Sequence, residues 1–162
     1  IIGFHGVTML SANPEATRQL LHNDLGLEHV QTTSDNVQLQ TVGDIHHQVI
    51  VKNFVNPQRV RWGTGIFHHI AWAVPNNESQ LEWRKYMVNK GFNVTDVKER
   101  FYFHAIYSKE PGHIIFEFAT VGPGFMVDED IDELGTALQL PPFYEARRHE
   151  IEAALTPLKL NS

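Results

Sequence analysis

His69 and Glu117 are the two side chains whose types and settings most readily suggest chemistry. Each lies in an apolar, strand-like run, Phe67-His68-His69-Ile70-Ala71-Trp72 and His113-Ile114-Ile115-Phe116-Glu117-Phe118. If these strands neighbour each other in a curved sheet, an imidazole and a carboxylate point into one concavity. Two histidines and one carboxylate on one face of an iron(II) ion leave positions open for O2 and a chelating substrate. Spacing alone is met, more ordinarily, by a histidine satisfied in the core and a glutamate at a strand edge. Glu117 departs from that plain reading because aromatic residues flank it. An acid buried there needs a partner, and a metal would supply one.

The bulk of the chain narrows the choices. Its 162 residues, 42% of them hydrophobic, suffice for one globular domain with a core of its own. There is no cysteine, so disulfides, thiolate metal sites and cysteine nucleophiles are excluded, and a metal must be held by histidine and carboxylate. A net charge of −6 without any Lys/Arg run argues against nucleic acid and against an anionic membrane surface. No apolar stretch approaches the roughly 20 residues of a bilayer span, and no leader precedes the first strand, so a soluble, cytoplasmic protein is expected. The chain opens on Ile1 inside a strand-like run, which reads as a fragment whose upstream part is missing.

The elements that would position the pair are repeated. Placing Ile2-Gly3-Phe4-His5-Gly6-Val7-Thr8 over Ile66-Phe67-His68-His69-Ile70-Ala71-Trp72 sets His5 on His69. Each strand runs into an Asn-containing cap, Asn13-Pro14-Glu15 or Asn76-Asn77-Glu78, and then a helix, about Pro14 to Asn23 and about Glu78 to Asn89. Short strands follow Gly26 and Gly91, at Leu27 to Val30 and Phe92 to Thr95. Two more complete each unit: Val37 to Thr41 and His47 to Val51, then Tyr102 to Tyr107 and His113 to Phe118 across a Pro111-Gly112 turn. The expected fold is α+β, with two βαβββ modules forming curved mixed sheets over residues 1–53 and 66–121. Residues 54–65 form the linker, and a tail over 122–162 carries two helices, Asp128 to Leu138 and Tyr144 to Leu155. Aligning His47-Gln48-Val49-Ile50-Val51 with His113-Ile114-Ile115-Phe116-Glu117 puts Val51 where Glu117 stands, so only the second unit is equipped for a metal.

Gly3-Phe4-His5-Gly6-Val7-Thr8, Phe67-His68-His69-Ile70-Ala71-Trp72-Ala73-Val74, Phe116-Glu117-Phe118-Ala119-Thr120 and Gly122-Pro123-Gly124-Phe125 resemble the carboxy-terminal half of hydroquinone-type ring-cleaving extradiol dioxygenases. These belong to the vicinal oxygen chelate superfamily, with glyoxalase I and the bleomycin-resistance proteins. The resemblance covers nearly the whole chain, including Leu140-Pro141-Pro142. It implies an oxidoreductase that inserts O2 into a hydroquinone or catechol ring bound to non-haem Fe(II), with Mn(II), Zn(II) or Ni(II) as other metals. It also implies as partners a small aromatic substrate, O2, the missing amino-terminal half, and further copies in a homo-oligomer.

By the same resemblance His69 and Glu117 are metal ligands and His68 is a histidine near the substrate. Tyr107 would exchange a proton with the phenol oxygen, and Arg100 would hold negative charge that develops on the substrate or on reduced oxygen. Without it, Arg100 reads as a solvated strand residue, Tyr107 as a packed aromatic and His68 as an outward-facing histidine. The third ligand is either His5, at the matching strand of the first unit, or a histidine outside this chain. Lys109-Glu110-Pro111-Gly112-His113 departs from the Arg-Glu-Pro-Gly-Gly turn usual in relatives, and Ser108 replaces a usual aromatic. His46, His47, His104 and His113 read as surface histidines. Two other functions fit the same frame: a glyoxalase-like lyase or isomerase on zinc or nickel, and a metal-free ligand-binding module of the antibiotic-resistance kind.

Overall fold

A computed structural model describes residues 3–53, 63 and 65–156. Two units of the expected order appear. The first comprises β1 (Gly6–Ser11), α1 (Pro14–Gln19), β2 (Glu28–Thr32), β3 (Asn36–Gln40) and β4 (Gln48–Asn53). The second comprises β5 (Ile70–Val74), α2 (Asn77–Asn89), β6 (Lys98–Glu99), β7 (Phe103–Lys109) and β8 (Ile115–Pro123). Each is a four-stranded mixed sheet, in the orders β1-β4-β3-β2 and β5-β8-β7-β6. The first strand of a unit pairs parallel with its last, and the remaining pairs are antiparallel. The segment expected to link the units falls mostly outside the described residues. Among the described residues no helix is long and apolar enough to cross a membrane.

The capping signals act as the sequence suggests. Asn13 Oδ1 accepts from the Ala16 amide and Asn76 Oδ1 from the Ser79 amide, satisfying first-turn N–H groups that have no intrahelical partner. Gly91 ends α2 with φ near +89°, a left-handed turn that a side chain would strain, and the Phe92 amide closes back onto the Met87 carbonyl. The first helix is shorter than expected: regular geometry stops at Gln19 and the chain continues as a π-helical turn over Leu20–Asp24. That wider turn keeps Leu20 and Leu21 buried.

Alternation divides the second sheet into two faces. Phe116 and Phe118 of β8 and Ile106 of β7 are buried in the core, with Trp83 of α2 stacked on Phe118 at 5.3 Å. Each large apolar side chain so buried contributes roughly 1.5–3 kcal/mol. Gln80, also buried, donates to the Phe118 and His104 carbonyls and ties α2 to β7 and β8 through the backbone. The opposite face carries Ala71 and Ala73 of β5, Glu117 and Ala119 of β8, and Ala105 and Tyr107 of β7.

Two strand expectations are corrected. The strand expected at Phe92–Thr95 makes only an isolated bridge, Val94 to Ser108; the edge strand forms later, at β6. Arg84 Nε binds the Thr95 carbonyl and its Nη2 the Asp96 carboxylate, so a side chain occupies a backbone acceptor that a ladder would use. Register also shifts the internal comparison. Val7 pairs with Val49 as Ala71 pairs with Glu117, so the residue standing where Glu117 stands is Val49, not Val51.

The tail does not carry two full helices. Single 3-10 turns occupy Phe125–Val127 and Ile131–Glu133, a longer one Pro142–Arg147, and the last helix, α3, spans only Arg148–Ala154. Gly135, with φ near +78°, interrupts the first expected helix. No residue from Val121 to Thr156 is buried, so no apolar face draws the segment into longer helices.

Candidate metal centre

His69 stands one residue before β5, and Glu117 lies on β8 opposite Ala71. Their side chains converge: His69 Nε2 is 2.5 Å from Glu117 Oε2. Tyr107, the registered partner of Glu117 on the other neighbouring strand, donates its hydroxyl to Glu117 Oε1 at 2.7 Å and meets the His69 ring edge-on at 5.7 Å. Arg100 Nη2 lies 3.5 Å from the Tyr107 hydroxyl, its guanidinium carbon 5.6 Å from the ring centroid. On the far side, His68 Nδ1 and His69 Nδ1 are 2.9 Å apart, with one proton between them whose placement depends on tautomer. Arg100, Tyr107, Glu117, His69 and His68 thus form one continuous polar chain.

The electrostatics of that chain are uneven. Glu117 is only 2% exposed, yet among the described residues no Lys or Arg pairs with it; its partners are a phenol and an imidazole. A carboxylate in such a place is costly without a cation. Burial pushes the Tyr107 phenol above its ordinary value, the bond to Glu117 pushes it the same way, and Arg100 opposes both. The phenol therefore stays protonated as a donor throughout the neutral range.

His5 is not part of this group. It is exposed and lines a shallow recess with Gly6, Val7, Thr8, Gln48 and Ile50, its carbonyl accepting from the Gln48 amide. Among the described residues no three His, Asp or Glu side chains come together so as to hold an ion. The remaining histidines serve locally. His46 Nδ1 meets the Thr41 carbonyl, His47 Nδ1 the Phe4 carbonyl, and His104 Nε2 the Glu99 carboxylate, while His113 sits in the β7–β8 turn.

Two features escaped the sequence. Alanines at 71, 73, 105 and 119 cover the sheet face beside Glu117, a pattern traceable in the alternation of each strand. Glu110, in an ordinary-looking Pro-Gly turn, is 2% exposed and bonded to the Thr17 hydroxyl of the first unit. No local sequence signal marks it.

Imidazole nitrogen and carboxylate oxygen are the donors a divalent transition metal takes, and here one of each meets on one sheet face, the carboxylate buried with no Lys or Arg partner among the described residues. The residues present therefore fit a metal, offering it one nitrogen and one oxygen donor.

The fold is that of the glyoxalase, bleomycin-resistance and dioxygenase proteins: a lactoylglutathione lyase from Agrobacterium tumefaciens superposes with a TM-score of 0.59 at 12% identity, over 74% of this chain and 94% of its own. Within that fold the chain is a homologue of one half of a set of longer proteins. It is 43% identical over 161 residues to the Bacillus subtilis (strain 168) protein named "Putative ring-cleaving dioxygenase MhqO", covering 99% of this chain and 51% of the relative. The crystal structure of a B. subtilis protein named "putative dioxygenase" matches with a TM-score of 0.88 and 42% identity, over 98% of this chain and 51% of that one. The "Chlorohydroquinone/hydroquinone 1,2-dioxygenase" of Sphingobium indicum is 27% identical over 154 residues, 92% of this chain and 47% of the relative. The chain spans about half the length of the curated relatives it matches. No model of a known protein family matches the sequence.

Proposed function

We propose that the chain is the metal-bearing half of a ring-cleaving dioxygenase acting on a hydroquinone- or catechol-type ring, with His69 and Glu117 holding Fe(II). One observation carries this reading: the convergence of His69 Nε2 on the buried, otherwise uncompensated Glu117 carboxylate. The names of the relatives support it. The donor types also suit Mn(II), Zn(II) and Ni(II); iron is chosen for the oxygen chemistry those names describe. Bound iron would bring the aromatic substrate and O2 together and let charge pass between them.

The chain's own residues have defined parts in this scheme. With its proton on Nδ1, donated to His68, His69 presents a bare Nε2 to the metal, and His68 fixes the ring's rotation. Tyr107 gives its single proton to Glu117 Oε1 when no substrate is present, and would redirect it to a substrate oxygen once a metal engages that carboxylate. Arg100, beside that hydroxyl, balances negative charge gathering there. Ala71 and Ala73, exposed beside Glu117, leave a low, apolar floor on which a flat ring can lie. The third ligand comes from the half of the protein outside this chain; His5 would have to leave its recess to serve.

The test is oxygen uptake and ring-cleavage absorbance of the complete, iron-loaded protein with substituted hydroquinones. Turnover that requires O2 and is lost in Glu117→Ala is expected. Turnover that proceeds equally without oxygen would replace this reading with a lyase on the same fold.

A further inference from the structure

A buried polar contact between the two units lies at the closed end of the β7–β8 hairpin, away from the metal pair. Glu110 is buried there, and among the described residues no cation pairs with it: Oε1 accepts from the Ile114 amide at 2.8 Å and Oε2 from the Thr17 hydroxyl at 2.6 Å. Thr17 has one proton, so if it donates to the carboxylate, the rest of the cluster orders itself. Ser11 Oγ, 2.7 Å from Thr17 Oγ1, donates to it, and the Asn13 amide donates to Ser11 Oγ at 3.0 Å. Ser11, Thr17 and Glu110 are all essentially buried. Beside them the Ala12 amide donates to the Gly112 carbonyl at 3.1 Å. A Cβ at Gly112 would lie 2.0 Å from Ser11 Oγ, so only glycine permits this approach. The other polar strut, Asp24 with Tyr86 and Lys90, has a half-exposed lysine and is screened by water.

We propose that Glu110 is a positioning residue: its carboxylate clamps the β1–α1 turn of the first unit to the β7–β8 turn of the second, and this docking sets His69 over Glu117. The consequence follows from where ladder pairing stops. Tyr107 and Glu117 are held together by their own register. His69 is not so held, because the β5 ladder begins at Ile70, and the chain enters β5 from the first unit. The placement of that unit therefore bears on His69 more than on its two partners. Docking of the units is independent of the metal reading; the effect at His69 and Glu117 rests on it.

The absence of cysteine makes the docking directly measurable. Glu28→Cys on β2 and Glu82→Cys on α2, both at exposed positions, take a pair of spin labels, one in each unit. Distances are compared in this background with Thr17→Val, Glu110→Ala, Glu110→Gln and Thr17→Ser, each checked for a folded far-ultraviolet spectrum. Cobalt(II) alone is titrated into the same substitutions carried in the complete protein, which supplies the third ligand. A narrow distance distribution is expected in the parent. Thr17→Val and either Glu110 variant should broaden it and weaken cobalt binding about tenfold, the scale on which supporting residues act on a metal site. Thr17→Ser, which keeps the hydroxyl, should restore both. The glutamine and serine variants carry the test if the larger changes unfold the chain. An unchanged distribution in Thr17→Val and Glu110→Gln overturns the clamp. A broadened distribution with unchanged cobalt affinity overturns its role in positioning. If the complete parent protein, third ligand included, takes up no cobalt, the metal reading fails and the positioning role with it, while the distances still decide the docking.

Discussion

At the scale of single residues, the candidate site centres on an acid placed where an acid is costly. Glu117 shares its burial with a phenol and an imidazole, an arrangement that folding alone does not favour. Glu117→Gln removes the charge and keeps an acceptor for Tyr107. Its unfolding midpoint in denaturant should equal or exceed that of the parent without metal, while metal uptake is lost. A large loss of stability would show instead that the carboxylate is structural. Ser108 poses the converse case. Its hydroxyl is buried with no partner among the described residues. Ser108→Ala should raise stability by about 1 kcal/mol, because an unsatisfied group is removed and little volume changes. A lower denaturation midpoint would reveal a bond the hydroxyl makes after all.

Among the elements, legibility in the sequence followed burial. Runs alternating between core and sheet face, such as His113 to Phe118, were readable as strands because one side of each must be apolar. The Asn caps and the Gly91 stop were readable because their chemistry is local. Phe92 to Thr95 alternates in the same way, yet forms only a bridge: Arg84, distant in sequence, takes the backbone acceptor. The Val51 alignment failed by two residues, since pattern alone does not fix register, and the Val7–Val49 pair does. Asp128 to Leu138 read as a helix from composition, but buries nothing to hold one. The tail is tied instead at Tyr102, whose hydroxyl donates to Asp128 and whose ring lies 5.0 Å from Phe125. Burial, and then the Asp128 carboxylate, push this phenol up to about 12. A raised acid is held protonated by the fold, so its contribution is complete below the unfolded value near 10 and is lost as pH climbs through about 12. Ultraviolet titration should show a late tyrosinate step that disappears in Tyr102→Phe. Loss of the step to the ordinary range in the parent would mean that the tail does not dock there.

Across the whole molecule, the duplicated βαβββ plan was legible and the site only partly so. His69 and Glu117 could be paired on paper because both lie on apolar strands and point one way. Resemblance, not spacing, pointed to Tyr107, Arg100 and His68, and all three lie along the polar chain running through that pair. Glu110 stayed hidden because its burial is created by the first unit closing over an otherwise exposed turn. Half the length of the matched relatives lies beyond this chain, so the open side of the His69–Glu117 pair is where the rest of a site would assemble. Anomalous scattering at the iron edge, from crystals of the complete protein loaded with Fe(II) without oxygen, tests this most directly. A single iron bonded to His69 Nε2 and a Glu117 carboxylate oxygen is the predicted result. Iron bound elsewhere, with this pair still bonded to itself in an enzyme that turns over, would contradict it.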